Sequence, residues 1–135
     1  MYLVDTNVIS ELRRIKPHGA VVEWLRQTAN DLLFVAAVTI GEIQSGIEIT
    51  RETDPSRAAE LESWLQQISL SYNVLPMDAE AFRIWGRLMH KCQDHLAGDA
   101  MLAATAKQHE LIIVTQNAKD FEQFGVQILN PFIAS

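Results

Sequence analysis

Residues 32–47 read "LLFVAAVTIGEIQSGI", and the point at which this stretch divides decides the fold. Its first seven residues, 32–38, are apolar without interruption, the pattern of a strand buried on both faces. From Thr39 the spacing changes, and Ile40, Ile43 and Ile47 fall at i, i+3 and i+7 on one stripe of a helix. A doubly covered strand running straight into a helix is half of a βαβ unit. Such units belong to parallel sheets held between helical layers.

The rest of the chain repeats this alternation. "YLV" (2–4) is a short strand candidate followed by "DTN", and "VISELRRI" reads as a helix that stops near Pro17. "AVVEWLRQTA" predicts a second helix ending near Asn30. "TDPSRAAELESWLQQI" carries a cap at Thr53 or Asp54, an early proline, and Leu61, Trp64, Leu65 and Ile68 on one stripe. The helices around 40–49 and 55–69 are expected to pair antiparallel. "NVL" (73–75), "LIIV" (111–114) and "VQIL" (126–129) are further strand candidates. Between them Asp78 caps a helix with Phe82, Trp85, Leu88, Met89 and Cys92 on one face, and "DAMLAATAKQ" is a helix so rich in alanine that it must pack closely on the sheet. No repeat, low-complexity tract or linker interrupts the series. The expectation is a three-layer α/β/α sandwich with a mainly parallel central sheet, one domain over residues 1–135.

Bulk properties narrow the functional classes. The net charge of −6 argues against binding nucleic acid through a broadly basic surface. Divalent cations held by clustered carboxylates would reverse that sign locally, and an acidic surface also suits a basic protein partner. No apolar run approaches the roughly 20 residues of a membrane span. "MYLVDTN" lacks a basic stretch ahead of an apolar one, and the single cysteine, Cys92, can form no internal disulfide. A cytoplasmic location is expected.

Four acids stand at strand-to-helix junctions: Asp5 after "YLV", Glu42 after "LLFVAAV", Asp99 at the head of the alanine helix, and Asp120 after "LIIV". One reading is local. Thr39 with Glu42 forms a T-x-x-E capping box, Asn117 with Asp120 a similar N-x-x-D, and Asp5 and Asp99 are plain N-terminal caps. The other reading is collective. In open α/β sheets functional groups gather at the carboxyl ends of the strands, and four carboxylates meeting there need a compensating cation. Oxygen-only ligands without paired histidine or cysteine favour Mg²⁺ or Mn²⁺ over zinc. His90, His95 and His109 are scattered and read as surface residues. Gly46, one turn after Glu42, either leaves room beside that carboxylate or serves a helix–helix contact.

"LVDTNVISEL", "TIGEIQSGI", "GDAMLAATA" and "LIIVTQNAKDF…ILNPF" resemble, in order and spacing, the motifs of PIN domains, and more closely the VapC-type toxins of toxin–antitoxin pairs. The resemblance spans essentially the whole chain. It implies a Mg²⁺- or Mn²⁺-dependent endoribonuclease that leaves 5′-phosphate and 3′-hydroxyl ends by attack of metal-activated water. Asp5 and Asp99 are then the central ligands, with Glu42 beside them and Asp120 the fourth, more variable acid. Thr6, Asn7, Thr115 and Asn117 match polar positions that orient ligands or water. A cognate antitoxin whose C-terminal segment blocks the acidic site is also implied. Gln116 departs from the arginine that many relatives carry at its position, which bears on phosphate contact there and not on metal binding.

Arg13, Arg14 and Lys16 are the basic residues expected to meet RNA phosphates, with a solvated helix end as the alternative. Ile9, Leu12, Val22 and Leu25 exceed what one small core needs, and suit a homodimer, a docked antitoxin or simply sheet coverage. Competing classes have less in their favour. A phosphoaspartate receiver needs paired acids or D-x-D after the first strand, and a dinucleotide-binding domain needs G-x-G-x-x-G, neither of which is present. A catalytically silent PIN scaffold acting through binding is the remaining alternative.

Overall fold

The computed structural model describes residues 1–133, so Ala134 and Ser135 of the expected 1–135 span lie outside the described residues. Five strands form one sheet: β1 (Tyr2–Val4), β2 (Leu33–Ala36), β3 (Asn73–Leu75), β4 (Ile112–Val114) and β5 (Ile128–Leu129). Their order is β3-β2-β1-β4-β5, and every pairing is parallel, with Tyr2 opposite both Leu33 and Ile112. Seven helices connect and cover them: α1 (Thr6–Glu11), α2 (Gly19–Gln27), α3 (Ala37–Thr53), α4 (Pro55–Ser71), α5 (Ala79–Met89), α6 (Ala97–His109) and α7 (Ala118–Phe121).

Alternation along the strands sorts side chains into two cores. Leu3, Ala36 and Ile113 point to the face covered by α5, α6 and α7, where Ala100, Ala103, Ala106 and Phe121 close the layer. Val4, Leu33, Val35 and Val114 point to the other face, against Val8, Ile9, Val21 and Ile68 of α1, α2 and α4. The expected α/β/α layering is therefore the observed one. Helices α3 and α4 pair through Ile47, Ala58 and Leu65. Asp54 caps α4 by accepting from the Arg57 amide at 3.0 Å, and Asp78 caps α5 by accepting from Ala81 at 2.9 Å.

Several boundaries differ from the expectation, each for a local reason. Strand β2 occupies only 33–36, because α3 begins at Ala37 and takes the last apolar residues into its first turn. Thr39 is thus inside the helix and buried, and no capping box forms. Helix α2 ends at Gln27, ahead of Asn30, which opens a 3₁₀ turn. The last strand is only Ile128–Leu129 rather than 126–129. Phe82 stays 47% exposed, although Trp85, Leu88, Met89 and Cys92 pack on the core as expected. Ile9 is core, Leu25 packs against it and Val22 is half-buried, which leaves Leu12 alone of the four substantially exposed.

Helix α6 is the element the site depends on. Its 13 residues span about 20 Å. It ends just ahead of the amino end of β4, so its first turn must lie at the opposite, carboxyl edge of the sheet. Alanine is the reason it can lie so close. Ala100, Ala103 and Ala104 are wholly buried, with Thr105 beside them. Replacing Ala103 with leucine should overpack this layer and cost about 1–3 kcal/mol, read as a lower urea midpoint at unchanged slope; wild-type stability would show the contact to be loose.

Candidate active site

Strands β2 and β3 lie to one side of β1, and β4 and β5 to the other. The chain reverses its direction of growth between β1 and β4, and a crevice opens at the carboxyl ends of such a pair. Asp5 follows β1 directly, and Thr115 follows β4 directly. The Asp5 amide donates to the Val114 carbonyl at 2.9 Å, which prolongs the ladder to the edge of this crevice.

Asp5 is held by a small polar network. Its Oδ1 accepts from the Thr6 amide at 2.7 Å. Its Oδ2 accepts from the Thr115 hydroxyl at 2.8 Å and from Asn7 Nδ2 at 3.2 Å. Asn7 in turn accepts from the Gln116 amide at 3.1 Å, and Thr115 Oγ1 accepts from the Asn117 amide at 3.0 Å. The four polar positions singled out in the sequence thus divide. Asn7 and Thr115 orient the carboxylate, and Asn117 contributes a backbone amide. The Thr6 hydroxyl is buried without a hydrogen-bond partner among the described residues.

Asp5 does begin α1, so the capping reading holds for it in part. It fails for the other three acids. Asp99 is the third residue of α6 rather than its cap, and the carboxylates of Glu42, Asp99 and Asp120 accept no hydrogen bond among the described residues. Asp5, Glu42 and Asp99 are each raised in part by another of the four acids. Loss of hydration raises the Asp5 carboxyl above its usual range, against the pull of its hydrogen bonds, and Asp120 adds to the rise. Glu42, though exposed, is raised by desolvation and then by Asp5 and Asp99. Asp99 is pushed up to about 6, by desolvation first and then by Asp120 and Asp5, with His95 pulling the other way.

The four acids therefore share one edge, brought there by four different elements. Among the described residues no three acidic, histidine or cysteine side chains stand close enough to form a ready ligand set. The donors are all oxygens, an orphaned hydroxyl lies beside Asp5, and three carboxylates have no other partner. That set fits a hard divalent cation.

The three basic residues expected to meet RNA differ in their surroundings. Arg13 lies over the Trp64 ring at 5.1 Å, and Arg14 pairs with Glu11 at 3.4 Å, while Lys16 is exposed. Lys119, which sequence reasoning passed over, shares a hollow of about 440 Å³ with Gln116, Asn117 and Asp120 and makes no ion pair among the described residues. Its position beside Asp120 was the available signal. His95 is exposed as expected, yet its charge reaches Asp99. Beside Gly46 there is open space, so it serves no helix–helix contact.

An acidic centre at the switch point of a parallel α/β sheet is the class defined by this geometry, and the comparisons agree with it. A family model described as PIN domain matches residues 2–126. Toxin FitB of Neisseria gonorrhoeae is 31% identical over 139 residues, covering 98% of this chain and 99% of that one. VapC ribonuclease Y4jK of Sinorhizobium fredii is 33% identical over 140 residues, covering 98% of each. The crystal structure of FitAcB from N. gonorrhoeae superposes with a TM-score of 0.85 at 31% identity, over 98% of this chain and 99% of that chain. The chain belongs to the PIN-domain family and groups within it with the VapC-type toxins.

The raised acids set a pH dependence whose sign is fixed. Asp99 keeps its proton in the folded state up to about pH 6, whereas the unfolded chain releases it near its ordinary 3.8. The folded state thus holds more protons in this window, and stability falls as pH rises through it. In EDTA, Asp99→Asn should melt with wild type at pH 4 and about 2–5 °C above it at pH 7. An offset independent of pH would contradict the raised Asp99.

Proposed function

We propose that the chain is a Mg²⁺- or Mn²⁺-dependent endoribonuclease and the toxin of a toxin–antitoxin pair. The observation that carries this reading is the convergence of Asp5, Glu42, Asp99 and Asp120 on one edge, with Asp99 raised to about 6 by loss of hydration and then by Asp120 and Asp5. Such crowding is unfavourable for the fold alone and becomes favourable once a cation is bound. Asp5 and Asp99 hold the cation, and Glu42 and Asp120 flank it. A bound divalent ion would supply an acidified water and compensate charge on the phosphoryl oxygens.

The remaining roles belong to this chain's own groups. Thr115 and Asn7 keep the Asp5 carboxylate in one orientation, and the Thr6 hydroxyl is free to accept or donate toward water beside it. Lys119 meets a backbone phosphate, compensating for Gln116, and Lys16 and Arg14 extend the basic path. The resemblance to a protein named a toxin and another named a ribonuclease supports the same function here. An antitoxin and a homodimer partner belong to the reading. Ile15 is fully exposed and Leu70 is 88% exposed, which gives such partners apolar anchor points. Among the described residues no helix is long and apolar enough to cross a membrane. We place the protein in the cytoplasm.

The test is cleavage of end-labelled RNA by purified protein. Mg²⁺ should support cleavage, EDTA should stop it, and Mn²⁺ should restore it. Asp99→Asn should lose more than the about 10–100-fold that removing an outer partner of a metal site costs. Lys119→Ala should weaken RNA binding across sequences and lower the salt slope by about 1. Cleavage that survives both EDTA and Asp99→Asn would refute the reading. No cleavage of any RNA by protein that binds Mn²⁺ would point to the silent scaffold instead.

A further inference from the structure

We infer that Gly98 is a positioning residue for Glu42: the absence of a side chain at the second residue of α6 leaves the seat on which the Glu42 carboxylate rests. The inference builds on the proposed acidic site and assigns part of its geometry to a residue with no chemistry of its own. A Cβ built at Gly98 would stand 3.1 Å from Glu42 Oε1 and 3.8 Å from its Cδ. Favourable contact between such atoms begins near about 3.5 Å, so the carboxylate would have to move. No other residue meets that position within 4 Å.

Backbone conformation gives no reason for glycine here. The only glycine with positive φ is Gly125, whereas Gly98 lies within regular α6. Alanine is the better helix former, so local propensity favours a methyl group at this place. The other helical glycines differ: Gly19, Gly41, Gly46 and Gly86 have nothing within 4 Å of a built Cβ. What distinguishes Gly98 is a carboxylate arriving from another helix, one residue from Asp99. Glutamate is flexible at its far end, so the fold would absorb a displacement of a few tenths of an ångström. A ligand set is less forgiving, because productive geometry tolerates only about 0.5 Å.

The experiment measures Mn²⁺ binding by calorimetry, with melting temperature in EDTA alongside, for wild type, Gly98→Ala and the control Gly86→Ala. Gly98→Ala should melt no lower than wild type and bind Mn²⁺ about tenfold more weakly. Gly86→Ala should bind as wild type. Shortening the acid in the double variant Gly98→Ala/Glu42→Asp should recover most of the affinity. In a Glu42→Ala background, Gly98→Ala should have no further effect. Wild-type affinity in Gly98→Ala, or an equal loss in the Glu42→Ala background, overturns the role of Gly98 and leaves the acidic site standing. A wild type that binds no Mn²⁺ overturns the acidic site itself, and the role of Gly98 with it.

Discussion

Asp5 is a carboxylate placed at the end of the central strand, half-buried and tied by hydrogen bonds to the strand beside it. The Thr115 hydroxyl at 2.8 Å and Asn7 at 3.2 Å fix one of its oxygens, and the Thr6 amide at 2.7 Å fixes the other. These bonds favour the charged form, yet loss of hydration outweighs them. The rest of the edge is arranged around that carboxylate. Because β1 pairs with both β2 and β4, any group that follows a neighbouring strand arrives within reach of it.

Crowding of like charge connects the fold to the chemistry. Helix α6 can lay Asp99 at this edge only because its buried face is alanine, which lets it lie close between the sheet and α5. Helix α3 brings Glu42 from the opposite side, and Gly98 makes room where the two helices meet. Neither the gathering of the acids nor the glycine beside them improves the stability of the polypeptide alone. On the proposed reading, gathering four acids at one edge costs folding free energy in the metal-free protein, and a bound cation would return it, so the same residues would set stability and function.

Much of this was legible in the residues. The apolar runs at 32–38 and 111–114 and the alanine pattern of α6 report burial directly, and burial fixed the layers. The order of acids at strand ends pointed to one edge for the candidate site, because the carboxyl edge of a parallel sheet follows from topology. What could not be read was three-dimensional competition. Thr39 carries a capping signature, but the helix begins two residues earlier and swallows it. Arg13 reads as a free cation near Asp5, but Trp64, fifty-one positions away, takes its guanidinium. Gly46 and Gly98 look alike in sequence, and only coordinates show that one faces open space and the other a carboxylate. In each case the three-dimensional surroundings, not the local pattern, decided the outcome.

Soaking crystals in Mn²⁺ and recording anomalous scattering at the manganese edge tests the central claim most directly. A peak bridging the carboxylates of Asp5 and Asp99, with Glu42 drawn toward it, is the expected map. Manganese found only at other acids, with Asp5 and Asp99 left unligated, would contradict the account.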